Sequence, residues 1–273
     1  RIPLILYSSH SHFQQTNITP GFIPEGVGGF FEFMKGRVVV PGNGDIKRFR
    51  RVIRHELVHV FMHGKLYNQS TLYETTDALN PPLWFTEGLA EYWSGGWDSQ
   101  GEMVLKDAVL GNNIVGLERI YAYTGTYFMY KVGQDALTFI ADNYGPDKIL
   151  LLMENMWKHD VFEDNFKEVI GLSYREFDLQ YISYLKKRYF PLIAEQDYNA
   201  VVTPTIVRQG YNFKPVYYNE NGTEYVVSIG NRDGYSSIYQ TPYQPISIDK
   251  INKAKRLIKG ESSSDYEAFH IFD

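Results

Sequence analysis

The chain has 273 residues, 44% of them hydrophobic, and a formal net charge of -5 from 32 acidic and 27 basic side chains. That is enough apolar material for a sizeable core in one large or two smaller domains. The charge is too balanced for a nucleic-acid groove, and no basic run is interleaved with aromatics. With no cysteines, disulfides and Cys-based zinc or nucleophile chemistry are excluded, so any metal falls to His and carboxylates.

No apolar run reaches the roughly 18 to 20 residues that a membrane-spanning helix needs, and the N-terminus lacks the regions of a signal peptide. Residues 2–7 read as a buried strand with no preamble, so the expectation is that a leader or an upstream piece has been removed. Ser8-Ser9-His10-Ser11-His12 follows. A His-x-His pair can bind metal, but the Ser-rich setting reads as loop or strand end, and a structural role is expected for both rings. Gly26 to Phe33 and Arg37 to Pro41 look like two strands joined by a turn at Lys35-Gly36. Their glycines would let another backbone come close, which suits a substrate strand along a sheet edge or a simple Gly-rich turn equally well.

From Asp45 onward the spacing predicts a helix. Phe49, Val52, Ile53, Leu57, Val60 and Phe61 form one apolar face, expected to point to the core, and Gly64 is the expected stop. Within it lies His55-Glu56-Leu57-Val58-His59. A four-residue step on a helix turns about 40° net and rises about 6 Å, so His55 and His59 point the same way and can share one Zn²⁺ ion. Glu56 then stands close enough to act as general base on a metal-activated water, the HExxH arrangement of metalloproteases. A helix that merely carries two surface histidines is the competing reading.

Residues 65–80 read as polar and irregular. Pro81-Pro82 then opens a short buried helix in which Leu83, Trp84, Leu89, Ala90 and Trp93 take helical spacing. It carries Glu87 and Glu91, four residues apart on a shared face in an apolar setting. Buried carboxylates need cations or donors, and a zinc ion on two histidines needs a third protein ligand.

The pair His55-Glu56-x-x-His59 and Trp84-Phe85-Thr86-Glu87-Gly88-Leu89-Ala90-Glu91-Tyr92 closely resembles the gluzincin metallopeptidases, the group that contains thermolysin and the alanyl-aminopeptidase type. The resemblance implies that Glu87 is the third zinc ligand and that Glu91 supports a ligand histidine. It also implies an α+β fold, a mixed sheet with helices, and a Tyr or His beyond the third ligand that steadies the oxyanion; Tyr123 and Tyr127 are the candidates. The gap between His59 and Glu87 is longer than in the best-known members. The spacing of metzincins is absent, and His63 reads as a helix C-terminal histidine facing the dipole.

Residues 98–120 offer no clear element. A helical region follows from Tyr121 to Tyr144 and stops at Gly145-Pro146. Residues 146–158 read as another helix, and Asp160-Val161-Phe162-Glu163 and Ser173-Tyr174-Arg175-Glu176 each match a capping box. Apolar stripes at Phe162, Phe166, Val169 and Ile170, then at Phe177, Tyr181, Tyr184 and Leu185, complete an all-helical segment that Pro191 ends. The gluzincin resemblance covers roughly residues 1–190.

Past residue 195 the composition turns to Val, Tyr, Thr, Asn and Gly. Lys214 to Ser228 reads as two strands about the Asn221-Gly222 turn, Asn231-Arg232-Asp233-Gly234 as a second turn, and Ser236 to Gln240 as a third strand. This pattern resembles one blade of a TolB-like β-propeller, with Arg256 to Ile258 closing the blade and Tyr266 to Phe272 opening the next. One blade cannot bury both faces, so either the chain is a fragment of a longer protein or this sheet is an appendage of the first domain.

The expectation is therefore a peptidase domain over 1–195 and a β-rich segment over 196–273. His55, His59 and Glu87 would bind Zn²⁺, and the substrate would be a peptide or protein. The rival reading is a non-catalytic binding module of the cell envelope that meets a protein partner through the propeller segment. A structural zinc site fits less well, because such sites close all four positions and favour Cys. The TolB-like resemblance implies a bacterial periplasmic, envelope or secreted setting. No nucleic-acid partner and no membrane span are expected.

Overall fold

Residues 2–21, 23–24, 26–42, 44–74, 80–194, 205–232, 236–246 and 253–259 are described by the computed structural model. The chain divides into two compact units, one of Arg1–Leu6, Asn17–Pro41 and Asp45–Glu195, the other of Tyr7–Thr16, Gly42–Gly44 and Gln196–Asp273. It is a mixed α+β fold.

The N-terminal strands β1 (Leu4–Tyr7), β2 (Phe30–Glu32) and β3 (Arg37–Pro41) form a three-stranded sheet in the order β1-β3-β2. The β2–β3 hairpin is antiparallel, with Phe31 opposite Val38. Its turn works because Gly36 takes a φ of +62°, a left-handed conformation that costs a glycine nothing. A Glu32–Arg37 ion pair of 2.9 Å closes its end. Val38 N–H donates to Pro3 and Gly42 N–H to Tyr7, bonds that advance together along both chains as parallel pairing requires. Because β2 is the last strand of the order, one of its edges is left without a partner strand among the described residues.

After β1, the serine–histidine stretch is not a loop but the one-turn helix α1 (His10–Gln14), started by Ser9, whose hydroxyl accepts from His12 N–H. The motif helix α2 runs from Ile46 to Leu72, 27 residues in all, and Asp45 caps it by accepting from the N–H groups of Lys47 and Arg48. Gly64 does not stop it. A helical glycine costs only about 1 kcal/mol relative to alanine, and Met62 and Leu66 on either side of it are buried in the core. The expected core face is also revised: Phe61 is 66% exposed, whereas Glu56, Met62, Leu66 and Gln69 are the buried residues of this helix. The reason is that α2 packs on two sides, against β2 and β3 and against the next helix. His63 consequently lies mid-helix, edge-on to Phe31 at 5.5 Å, rather than at a C-terminus.

That next helix is α3 (Leu83–Ser94), and it packs in turn on α5 (Tyr127–Tyr144). The α3–α5 contact is backbone on backbone: a Cβ on Gly88 would stand 2.6 Å from the carbonyl carbon of Gly133, and a Cβ on Gly133 would stand 2.3 Å from the carbonyl oxygen of Trp84. Between them, residues 99–110 form α4 (Ser99–Leu110), an element the sequence reading missed; Asp98 caps it and Leu105, Ala108 and Val109 bury its inner face. The helical region expected from Tyr121 is a short 3₁₀ turn over Ile120–Tyr123, and α5 itself starts after Thr126, whose hydroxyl accepts from Met129 N–H. Gly145, at φ +101°, ends it.

The helices α6 (Asp147–Glu154), α7 (Phe162–Ile170), α8 (Tyr174–Tyr189) and α9 (Pro191–Ala194) complete the first unit. Ser173 and Glu176 form the expected capping box of α8, but α7 begins at Val161 without a side-chain cap, so Asp160 does not play that part. Phe166, Phe177, Tyr181 and Leu185 join Trp84, Phe85, Leu89, Val132 and Leu137 in one core.

In the second unit, β4 (Asn212–Glu220), β5 (Thr223–Gly230), β6 (Ser237–Pro242) and β7 (Lys255–Ile258) make a four-stranded antiparallel sheet in sequence order. The β4–β5 turn is the expected Asn221-Gly222, with φ of +51° and +84°, the two positive values that a type I′ hairpin demands. The described strands form an open sheet. The expected strand at Tyr266 to Phe272, and Asp233-Gly234 of the second turn, lie outside the described residues. No described helix is long and apolar enough to cross a membrane.

Candidate metal centre

Two helices make the centre. From α2, one turn apart, come His55 and His59, their rings edge to face at 4.9 Å. From α3 comes Glu87, whose Oε2 lies 3.2 Å from His55 Nε2 and 3.4 Å from His59 Nε2. Two atoms bound at about 2.0–2.1 Å to one tetrahedral ion stand about 3.3–3.4 Å apart, so Glu87 already has the separation from each histidine that such an ion needs, and all three donor atoms lie within 4.8 Å of one another. They are the only His/Cys/Asp/Glu group among the described residues whose ligand atoms could meet on one metal. Glu91, one turn further along α3, places Oε1 3.2 Å from His55 Nδ1, so the ring nitrogen facing away from Glu87 is the one engaged by a carboxylate. The three side chains are 13–15% exposed, covered but reachable from solvent.

Glu56 lies apart from that trio, buried against the start of β2. It fits because residue 29 is glycine: a Cβ there would stand 2.9 Å from Val52 and 3.3 Å from Glu56 Oε1. The Phe31 backbone N–H donates to its carboxylate. Burial pushes the Glu56 carboxyl up, and the charge of Glu87 adds to this, while His55, His59 and the Phe31 N–H pull the other way. A carboxylate raised in this way is a better proton acceptor than an ordinary one near neutral pH.

Tyr123 packs edge-on against Phe128 at 4.9 Å, beside a cleft of about 420 Å³ lined by Met103, Val104 and Phe128. Tyr127 directs its hydroxyl to Asp98 Oδ1 at 3.4 Å. The tyrosine that meets the trio is neither of these but Tyr130, whose ring lies parallel to His55 at 6.3 Å and whose hydroxyl donates to Glu87. Burial first, and then the negative charge of Glu87, raise its pKa, so the hydroxyl remains a donor.

Two further residues, Arg51 and Lys131, went unnoticed in the sequence. Arg51, one turn before His55, donates through Nη2 to Glu91 Oε2 at 2.7 Å and through Nη1 to Asp98 Oδ2 at 2.5 Å. Lys131 reaches the same two carboxylate oxygens from α5. The available signal was a lysine inside the otherwise apolar first part of α5, residues 128–133, since a buried ammonium demands carboxylates nearby. A cavity of about 880 Å³ between residues 114–119 and α8 holds none of these side chains.

Burial works against a charged His55, but hydrogen bonds to Glu87 and Glu91 outweigh it and raise its pKa to about 9. Glu87 is correspondingly lowered to about 2, burial opposing and His55 and His59 prevailing. A metal ligand must be neutral imidazole, so at pH 7.5 metal and proton compete for His55. Metal uptake is expected to release about one proton from His55, and affinity to rise about tenfold per pH unit up to about pH 9. Calorimetric titration in two buffers of different ionisation enthalpy checks this. Identical heats in both would contradict it.

A family model of the Peptidase MA superfamily matches residues 2–187. The match spans well over half of the chain, which therefore belongs to that superfamily and carries a metallopeptidase-like fold. No curated protein matches the chain.

Proposed function

From its membership of the Peptidase MA superfamily, we propose that the chain is a zinc-dependent metallopeptidase of the gluzincin type. The observation that carries this reading is the approach of Glu87 Oε2 to both histidine Nε2 atoms at 3.2 and 3.4 Å, with Glu56 following His55 in α2. His55, His59 and Glu87 hold the ion. When bound, zinc supplies a Lewis acid that polarises the scissile carbonyl and lowers the pKa of the attacking water toward about 7.

The chain's own groups do the rest. Glu56 takes a proton from the attacking water as its oxygen joins the carbonyl carbon, and returns it to the nitrogen as the C–N bond breaks. Tyr130, with its hydroxyl at Glu87 and a pKa that keeps it protonated, is the donor best placed to hold the carbonyl oxygen as negative charge develops. The edge of β2 that has no partner strand among the described residues suits an extended peptide lying along the sheet.

Within this reading, residues 1–195 form the peptidase domain and 196–273 a TolB-like blade. The resemblance of that blade supports a cell-envelope setting and a protein partner for its sheet. The test is cleavage of a fluorogenic peptide library by the zinc-loaded full chain. Hydrolysis should vanish with a zinc chelator and return with added zinc. A chain that binds zinc and cleaves nothing would favour the non-catalytic binding module instead.

A further inference from the structure

Lys131 sits in the second turn of α5 with 0% of its side chain exposed. Burying an ammonium is costly unless charges and acceptors surround it. Here each of its three N–H groups has an acceptor: Nζ lies 2.5 Å from Glu91 Oε2, 3.1 Å from Asp98 Oδ2 and 3.1 Å from Gln134 Oε1. Space for its stem comes from Gly101, where a Cβ would stand 3.1 Å from Lys131 Cδ.

Glu91 is where this arrangement acts on the metal centre. Its Oε2 receives Lys131 and Arg51, leaving Oε1 to face His55 Nδ1 at 3.2 Å. Arg51 and Lys131 also share Asp98, so the four side chains carry two positive and two negative charges and the cluster is neutral. Without Lys131 one negative charge is uncompensated, and on its Oε2 side Glu91 is held only by Arg51, whose side chain is 32% exposed. A carboxylate tethered that loosely no longer offers His55 one fixed acceptor.

We infer that Lys131 is a positioning residue: acting through Glu91, it fixes the His55 ring with its hydrogen on Nδ1 and Nε2 turned toward Glu87 and the metal. This rests on the zinc-peptidase reading above. Tyr130, its neighbour in α5, meets Glu87, so a single turn of α5 governs both carboxylates of α3.

The experiment is a double-mutant cycle on zinc affinity in the full chain, with Lys131→Met, Glu91→Gln and both together, read by competition with a chromophoric chelator. Lys131→Met is expected to weaken zinc binding about 10- to 100-fold, the usual effect of losing a partner behind a metal-bound histidine. In the Glu91→Gln background the same change should cost less than about threefold, because the route through Glu91 is already cut. Thermal melts of the metal-free variants report folding separately. An unchanged affinity in Lys131→Met, or an equal loss in both backgrounds, overturns the inference. If Lys131→Met does not fold, Lys131→Gln, which keeps two amide donors, replaces it in the cycle; failure of that variant to fold as well assigns Lys131 to the fold and overturns the inference too. A wild-type chain that binds no zinc sinks the underlying reading, an outcome distinct from all of these.

Discussion

Glu56→Gln is expected to keep its zinc and to lower peptide hydrolysis by about 10²- to 10⁴-fold, the range that a positioned general base supplies. The substitution preserves shape. The amide oxygen can still accept the Phe31 N–H, and the side chain still occupies the space that Gly29 leaves open. It removes only the capacity to take a proton. Because Glu56 does not belong to the trio of donor atoms, zinc affinity should stay within a few-fold of wild type. The measurement pairs kcat for a cleaved peptide with a zinc titration of the same preparation. Wild-type turnover by Glu56→Gln would remove the general base from the mechanism, and loss of zinc would place Glu56 among the ligands.

Gly133→Ala should be as damaging to the fold as Glu56→Gln is to the chemistry. Its methyl group would lie 2.3 Å from the Trp84 carbonyl oxygen and 3.1 Å from Gly88 Cα, and backbone cannot rotate away as a side chain can. The helices α3 and α5 must separate, which costs more than the gain of about 1 kcal/mol that alanine brings to a helix. A net loss of about 2–3 kcal/mol is expected, a fall in Tm of about 5–10 °C for a domain of this size. Since α5 carries Tyr130 and Lys131 and α3 carries Glu87 and Glu91, zinc affinity should fall with stability. Gly64→Ala is the matched comparison. Beyond the adjoining turns of its own helix, nothing lies within 4 Å of its new Cβ in the interior of α2, so the same chemical change should stabilise by up to about 1 kcal/mol. Melting curves of the two variants decide this, and equal Tm values would contradict the account.

The contrast between these glycines marks what a sequence discloses. That His55 and His59 share one helix face, and Glu87 and Glu91 another, was legible because each pair is spaced four apart on its own helix, a local rule; that the two pairs meet, with Glu87 beside both rings, was implied by the gluzincin resemblance. The Asn221-Gly222 hairpin was legible for a similar reason: few residues tolerate two consecutive positive φ values. What was not legible depends on the α3–α5 approach. Nothing near Tyr130 in the chain distinguishes it from the other tyrosines, 22 in all. Its contact with Glu87 exists because Gly88 and Gly133 allow two backbones to touch. Arg51 and Lys131 are likewise joined to Glu91 across 40 residues each. The error over Gly64 has the opposite origin, a local signal overruled by the burial of Met62 and Leu66 in the core. α4 was missed because its apolar stripe, Leu105, Ala108 and Val109, is confined to its second half.

The most direct measurement is zinc per chain by elemental analysis after reconstitution, wild type beside Glu87→Ala. The account predicts about one zinc per wild-type chain and its loss in the variant, because two imidazoles alone hold zinc weakly. No zinc in the wild type, or equal zinc in both proteins, would contradict a site built from His55, His59 and Glu87.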